Sequence, residues 1–217
     1  TSVLGMIWPE DGGPFADSSY AFVITYDAIG YVKDADADKI NYDDLLKDMQ
    51  NEEVTENKDR EKAGYSTVHT VGWAQKPFYD RNDKILHWAR ELQFSGKDEN
   101  TLNYEVRILG RKGVLSLNAV ADITELEMVK NDIGKVLPIA SFTQGNTYAE
   151  FDSNIDEVAA WTIGGLVAGK VLAKAGILAV LLKFGKFIII GIVAVGGVIF
   201  KFFRRKKKDE YAYQAPL

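Results

Sequence analysis

The stretch Leu102-Asn103-Tyr104-Glu105-Val106-Arg107-Ile108-Leu109-Gly110-Arg111-Lys112-Gly113-Val114-Leu115-Ser116-Leu117-Asn118-Ala119 decides the fold. Leu102, Tyr104, Val106 and Ile108 alternate with Asn103, Glu105 and Arg107, the period of a strand with one buried face. Gly110-Arg111-Lys112-Gly113 is a turn signal, and Leu115, Leu117 and Ala119 then alternate with Ser116 and Asn118. So short a connection predicts antiparallel pairing.

Outward from this hairpin, Thr67 to Trp73 is β-branched and aromatic, and Lys84 to Phe94 places Leu86, Trp88, Leu92 and Phe94 on one side. Downstream, Leu126, Val129, Ile133 and Val136 recur at helical spacing, and Ile139 to Phe142 is a short strand candidate. Upstream, Tyr20 to Tyr26 alternates as a strand after the turn-rich Pro9, Gly12, Gly13 and Pro14, and Gly30-Tyr31-Val32 continues briefly. A helix is expected from about Tyr42, with Asn41 or Asp43 as N-cap and Leu45, Leu46 and Met49 on one face. Its second half, Asn51 to Lys62, is almost wholly polar or charged and reads as a solvated or fraying segment ended by Gly64. The fold class is α+β, an antiparallel meander covered on one face by helices. The order of elements resembles the PsbP/Mog1 type of α/β sandwich, an analogy at the level of fold that carries no function.

The second organising feature is the apolar tract from Val158 to Phe203, followed by Arg204-Arg205-Lys206-Lys207-Lys208. A helix crosses a hydrocarbon core of roughly 30 Å with about 20 mostly apolar residues. The best span is Phe187 to Phe203, with Phe187, Ile190, Val193, Val198 and Phe203 in the lipid, and Arg204 and Arg205 opening the basic run. Lys183 and Lys186 would snorkel to one interface and Lys201 to the other. Upstream, Gly165-x-x-x-Gly169 has the spacing of close helix packing in lipid. Lys170 and Lys174 share one helical face while Lys183 and Lys186 point nearly opposite, so a break near Gly176 or Gly185 is expected. That leaves an interfacial helix followed by one span, or a hairpin of two spans, and the cost of Lys170 and Lys174 in lipid favours the first. The expected division is a globular domain over 1–157, an interfacial or membrane helix over 158–182, a transmembrane helix over 183–203 and a basic tail over 204–217.

Charge is segregated in the same way. Residues 1–157 hold 16 Lys and Arg against 29 Asp and Glu, a net of −13, and residues 158–217 hold 10 against 2, a net of +8. A basic end suits an anionic membrane face, and an acidic body argues against a nucleic-acid binder, which needs its positive charge on the folded domain. The positive-inside rule predicts a cytoplasmic tail and, with one span, a domain on the far side of the membrane. An exported domain needs a leader, so further sequence is expected before Thr1. Without cysteine, disulfides and thiolate chemistry are excluded.

Candidate sites are few. Asp34, Asp36 and Asp38 match the early positions of a calcium loop, but Lys39 stands where glycine is needed and Leu45 where the bidentate glutamate belongs, so an exposed acidic turn is the plainer reading. Trp73, Tyr79 and Asp80, in Gly72-Trp73-Ala74-Gln75-Lys76-Pro77-Phe78-Tyr79-Asp80, could line a pocket together with Arg107. The plainer reading is a rigid connection between strands, with Trp73 in the core and Asp80 capping a turn with Arg81-Asn82-Asp83. His69 and His87 lack a carboxylate or serine at a spacing that would complete a site. No catalytic residue, metal site or cofactor is predicted, since phosphate loops, G-x-S-x-G and H-E-x-x-H are all absent.

Several stretches, namely Gly30-Tyr31-Val32-Lys33-Asp34, Asn57-x-x-Arg60, Gly72-Trp73 with Pro77-x-Tyr79-Asp80, the 102–115 hairpin, and Gly145-x-x-Tyr148-x-x-Phe151-Asp152, resemble the signature of an uncharacterised family of bacterial membrane-anchored proteins. The resemblance covers nearly the whole chain. It implies an exported N-terminal portion and a C-terminal apolar anchor, and supplies no activity. The expectation is therefore a non-enzymatic interaction or scaffolding module of the bacterial envelope. It would be held in the cytoplasmic membrane with a lipid bilayer as partner, and with either an envelope protein or further copies through Gly165, Gly169, Gly191 and Gly196. The alternative is an enzyme on an envelope component, which would gather Asp34, Tyr79, Asp80 and Arg107 in one concave site.

Overall fold

A computed structural model describes residues 1–9 and 20–171. Strands β1 (Ser2–Ile7), β2 (Phe22–Asp27), β4 (Val68–Asp80), β5 (Ile85–Phe94), β6 (Thr101–Leu109) and β7 (Val114–Asp122) form one sheet in the order β1-β2-β7-β6-β5-β4. Every pairing in it is antiparallel. The 102–119 hairpin sits at its centre, with Leu109 opposite Val114 and Tyr104 opposite Ala119. Gly113 is where the turn must be bare, because a Cβ there would run into the Asp27 carbonyl oxygen and the Tyr26 ring.

Both faces of the sheet are covered, not one. On the first, Ala89, Tyr104, Val106, Leu117 and Ala119 pack against Val129, Ile133 and Val136 of helix α2 (Leu126–Val136). On the second, Leu86, Trp88, Leu109 and Val114 meet Leu45 and Met49 of helix α1 (Tyr42–Lys62). They also meet Val32 of β3 (Tyr31–Lys33), Ala159 of β8 (Val158–Thr162) and Ile163 of helix α3 (Ile163–Ala168). The second layer escapes sequence periodicity because β3 and β8 are short and lie 125 or more residues apart, meeting as a parallel pair.

That pair corrects the reading of the apolar tract. Val158–Thr162 is a strand, not the start of a helix, and α3 is a six-residue helix whose Gly165 is buried inside the domain. Gly169 closes it in the left-handed region at φ 71°, so Gly165-x-x-x-Gly169 is a buried turn of helix with a glycine C-cap and not a lipid-packing motif. Lys170, expected on an interfacial helix, is ion-paired with Glu52 of α1. The compact unit accordingly spans Thr1–Leu172, past the boundary expected at 157. Among the described residues no helix is long and apolar enough to cross a membrane. The expected span, Phe187 to Phe203, and its basic run lie outside the described residues.

Other local differences have simple causes. The strand expected over Ile139 to Phe142 is absent; Pro138 removes a backbone donor and the chain makes a 3-10 turn over Leu137–Ile139. The stretch from Gly72 to Asp80 is not a connection but the continuation of β4, carried past Pro77 by register shifts that relieve the ladder. Asn41 is the cap of α1, its Oδ1 accepting from the Asp43 and Asp44 amides at 3.1 and 3.3 Å.

Candidate functional site

Three of the stretches singled out in the sequence meet at one end of the sheet. Tyr31 of β3 lies between Tyr148 and Phe151, its ring centroid 4.4 Å from the first and 3.9 Å from the second in near-parallel stacks. Beside them, Asp34 is held by one phenol and two cations. Tyr79 Oη donates to its Oδ2 at 2.9 Å, Lys84 Nζ approaches the same oxygen at 2.9 Å, and Arg81 stands at 3.9 Å. Burial pushes the Asp34 carboxyl up, but the Lys84 and Tyr79 hydrogen bonds and the charges of Lys84 and Arg81 outweigh it and hold it below its ordinary value. Burial, reinforced by the Asp34 hydrogen bond, raises the Tyr79 phenol, so it stays a donor at neutral pH.

Lys84 is the unusual member. Its φ is 60°, the one positive value among the non-glycine residues described, and its ammonium lies 4.9 Å from the Tyr148 ring centroid. A left-handed backbone costs an ordinary residue roughly 1–2 kcal/mol. Here the surroundings impose it: Asp80 Oδ1 accepts from the Asn82 and Asp83 amides at 2.8 and 3.1 Å, and the Lys84 carbonyl accepts from Leu109 N at 2.9 Å. Asp80 thus caps its turn and does not join Asp34.

Above the stack lies a cavity of about 880 Å³ whose lining includes Tyr31, Lys84, Leu137, Tyr148 and Phe151. It shares Ala140, Ser141 and Phe142 with a second cavity of about 610 Å³, lined by Ile24, Tyr26, Leu115, Val136 and Ile139 and bounded by β1. The two make one furrow along the first face of the sheet. The sequence reading named Asp34 and Tyr79 but missed Lys84, Tyr31 and Phe142. The aromatic residues recurring in the quoted stretches were the available signal, and only the tertiary fold stacks them.

The remaining candidates disperse. Asp36 accepts from the Ile163 and Gly164 amides at 3.2 and 3.1 Å and caps α3, while Asp38 pairs with Arg81. The three aspartates of the acidic turn therefore do not converge on one point: Asp36 caps α3, and Asp34 and Asp38 share only Arg81. Trp73 is part-buried, donating from Nε1 to the Tyr42 carbonyl at 3.1 Å. His69 and His87 sit on adjacent strands opposite Gln93 and Phe78 and do not face each other. Among the described residues no cluster of His, Asp and Glu could hold a metal ion.

Arg107 lies on the second face, opposite Leu86 and Ser116, in a polar inset within the apolar layer. It bonds Ser116, pairs with Glu105 at 3.0 Å and lies 5.7 Å from the Trp88 ring. Burial raises the Glu105 carboxyl against the opposing pull of Arg107, Arg90 and Asn118. Arg107 also lines a separate cavity of about 370 Å³ with Trp161 and Leu166.

Fold and site together define an α+β domain built on one six-stranded antiparallel sheet, with an aromatic and cationic furrow on one face. The chain belongs to the family described as Protein of unknown function (DUF2167), whose family model matches residues 1–197, a range that includes the domain and most of the apolar tract. No curated protein and no solved structure matches it.

Proposed function

We propose that the chain is a membrane-anchored interaction module of the bacterial envelope, tethered through Phe187 to Phe203 and recruiting a protein partner through the free side of β1. The observation that carries this reading is the state of that strand. β1 is the last strand of the sheet among the described residues, and Val3, Leu4 and Met6 on it are 70, 62 and 46% exposed. An apolar edge strand offers unpaired N–H and C=O groups with side-chain anchors, the arrangement by which an extended segment is added to a sheet. The apolar span and the basic run from Arg204 support the tether, and the acidic body supports a solvated domain away from the anionic leaflet.

The rival reading, an enzyme on an envelope component, requires Asp34, Tyr79, Asp80 and Arg107 in one concave site. Asp34 and Tyr79 meet, but Asp80 caps a turn and Arg107 serves a different cavity. A photo-crosslinking residue at Leu4, with Val54 on α1 as an equally exposed control, tests the module in cells. Discrete adducts with an envelope protein from position 4 alone are expected, and equal or absent adducts from both positions end the reading. Orientation is tested separately with a membrane-impermeant thiol reagent on Ser95→Cys and Tyr211→Cys. Labelling at 95 with protection at 211 is expected; protection of both places the domain in the cytoplasm.

A further inference from the structure

The smaller chamber of the furrow has the chemistry of a ligand site. Its volume of about 610 Å³ falls in the range of roughly 300–1,000 Å³ typical of small-molecule pockets. Most of its lining is apolar, with Ile24, Leu115, Val136 and Phe142 prominent. Although residues 1–157 carry an excess of 13 negative charges, that lining holds one cation, Lys112, and no carboxylate. Lys112 is exposed; its carbonyl accepts from the Gly30 amide at 3.1 Å, but its ammonium forms no hydrogen bond or ion pair with the described residues, and Asp156, the acid it acts on through space, is committed to Arg111 at 2.6 Å. Ser141, Thr143 and Asn146 add neutral donors to the same lining.

The chamber is also built into the strand beside it. Gly5 pairs with Ile24 next to a register shift, and a Cβ placed on Gly5 would meet nothing within 4 Å. A side chain at that inward position would fill the space. Its absence leaves an apolar hollow facing solvent, which is unfavourable unless something apolar occupies it.

We propose that this chamber binds a single-chain anionic amphiphile, its apolar chain against Ile24, Leu115 and Phe142 and its headgroup at Lys112. An apolar body with one well-placed polar contact is the usual division of labour in such pockets, the first giving affinity and the second orientation. A neutral chain would leave the Lys112 ammonium without a direct partner in the chamber, and a bare anion would leave the hollow unfilled. The chamber borrows Leu4 and Met6 from the strand that the partner reading uses, but its base at Ile24, Leu115 and Phe142 and its cation at Lys112 play no part in that reading.

The test uses the full chain in its membrane and three probes: a diazirine-bearing alkyl phosphate, the corresponding neutral alcohol, and inorganic phosphate as competitor. Expected is saturable labelling by the alkyl phosphate of peptides carrying Leu115 and residues 139–143, about tenfold weaker for the alcohol and unaffected by millimolar phosphate. Gly5→Phe and Lys112→Glu should each reduce that labelling by about tenfold, the first by filling the chamber and the second by reversing its charge. Because Lys112 is exposed, its variant keeps the fold even if Gly5→Phe does not. Equal labelling by the alcohol, displacement by phosphate alone, labelling of these peptides that both variants leave unchanged, or absence of labelling overturns the proposal. The peptide spanning residues 187–203 reports the bilayer tether independently: if it stays unlabelled while the chamber is labelled, the anchor reading fails and the binding site stands.

Discussion

The two edges of the sheet are finished in opposite ways. At β4, helix α1 supplies side chains where a seventh strand would supply backbone. Asn57 donates from Nδ2 to the Val68 carbonyl at 2.8 Å and accepts from the Val68 amide at 2.9 Å. Glu53 accepts from the Thr70 amide at 2.9 Å and Gln50 donates to the Thr70 carbonyl at 2.8 Å, while Arg60 Nε reaches the Ser66 carbonyl at 2.8 Å. Positions 50, 53, 57 and 60 are one stripe of a helix, and alternate residues of β4 are one side of a strand. Register shifts, Lys76 and Pro77 protect the rest of that edge. β1 has none of this among the described residues: it is short, apolar and free on its outer side. Among the described residues, then, one edge of the sheet is sealed by side chains and the other is not.

The largest effect should come from breaking the closed edge. Asn57→Ala leaves the Val68 amide and carbonyl unpaired beneath α1, where an unsatisfied buried polar group costs about 1–3 kcal/mol each. A loss of about 2–4 kcal/mol in urea unfolding is expected, with faster hydrogen exchange at Val68; a loss no greater than an exposed substitution would mean that α1 does not seal β4.

Next in size is an acid dependence one strand inward. Burial lowers the His87 pKa, opposed by the charge of Asp80, so the folded state resists the proton that the unfolded chain takes up near pH 6.5. Stability should therefore be level above that pH and decline as pH falls below it, by no more than about 1.4 kcal/mol per unit. In His87→Gln this part of the decline should disappear, which pH-dependent denaturation measures directly.

Gly64, at φ 79° just past α1, should tolerate alanine at a cost of about 1 kcal/mol, since a Cβ there meets no neighbour and only backbone strain is added. A cost several times larger would reveal that the α1 exit also braces β4. Smallest of all is the effect of charging the edge at β1 with the crosslinker kept at position 4: Val3→Lys with Met6→Lys should change stability by no more than about 0.5 kcal/mol, as for other exposed positions. The same pair should abolish partner crosslinking, and a marked loss of stability would show β1 to be core and not interface.

How far each part was legible follows from the range of the forces that made it. The central hairpin, β5 and α2 were readable because alternation and helical spacing are local consequences of one buried face. The polar half of α1 was read as solvated because its partners, Val68 and Thr70, are backbone groups that no side-chain pattern reveals. Val158 to Thr162 was read as helix because a short buried strand and a buried helical segment look alike in hydropathy. Of the site, Asp34 and Tyr79 were visible as residue types able to line a pocket, whereas Lys84 depended on a turn conformation, and Tyr31, Tyr148 and Phe151 on a stack joining distant segments.

By itself the sequence determined the antiparallel meander, the acid-to-base polarity of the chain and the apolar tract near its end, since each rests on periodicity or composition within a single segment. The tertiary structure alone decided which edge of the sheet is sealed, where the furrow lies and which aspartate faces which partner. Those are pairings between residues far apart in the chain, fixed by packing and hydrogen bonding that become available only once the segments are brought together.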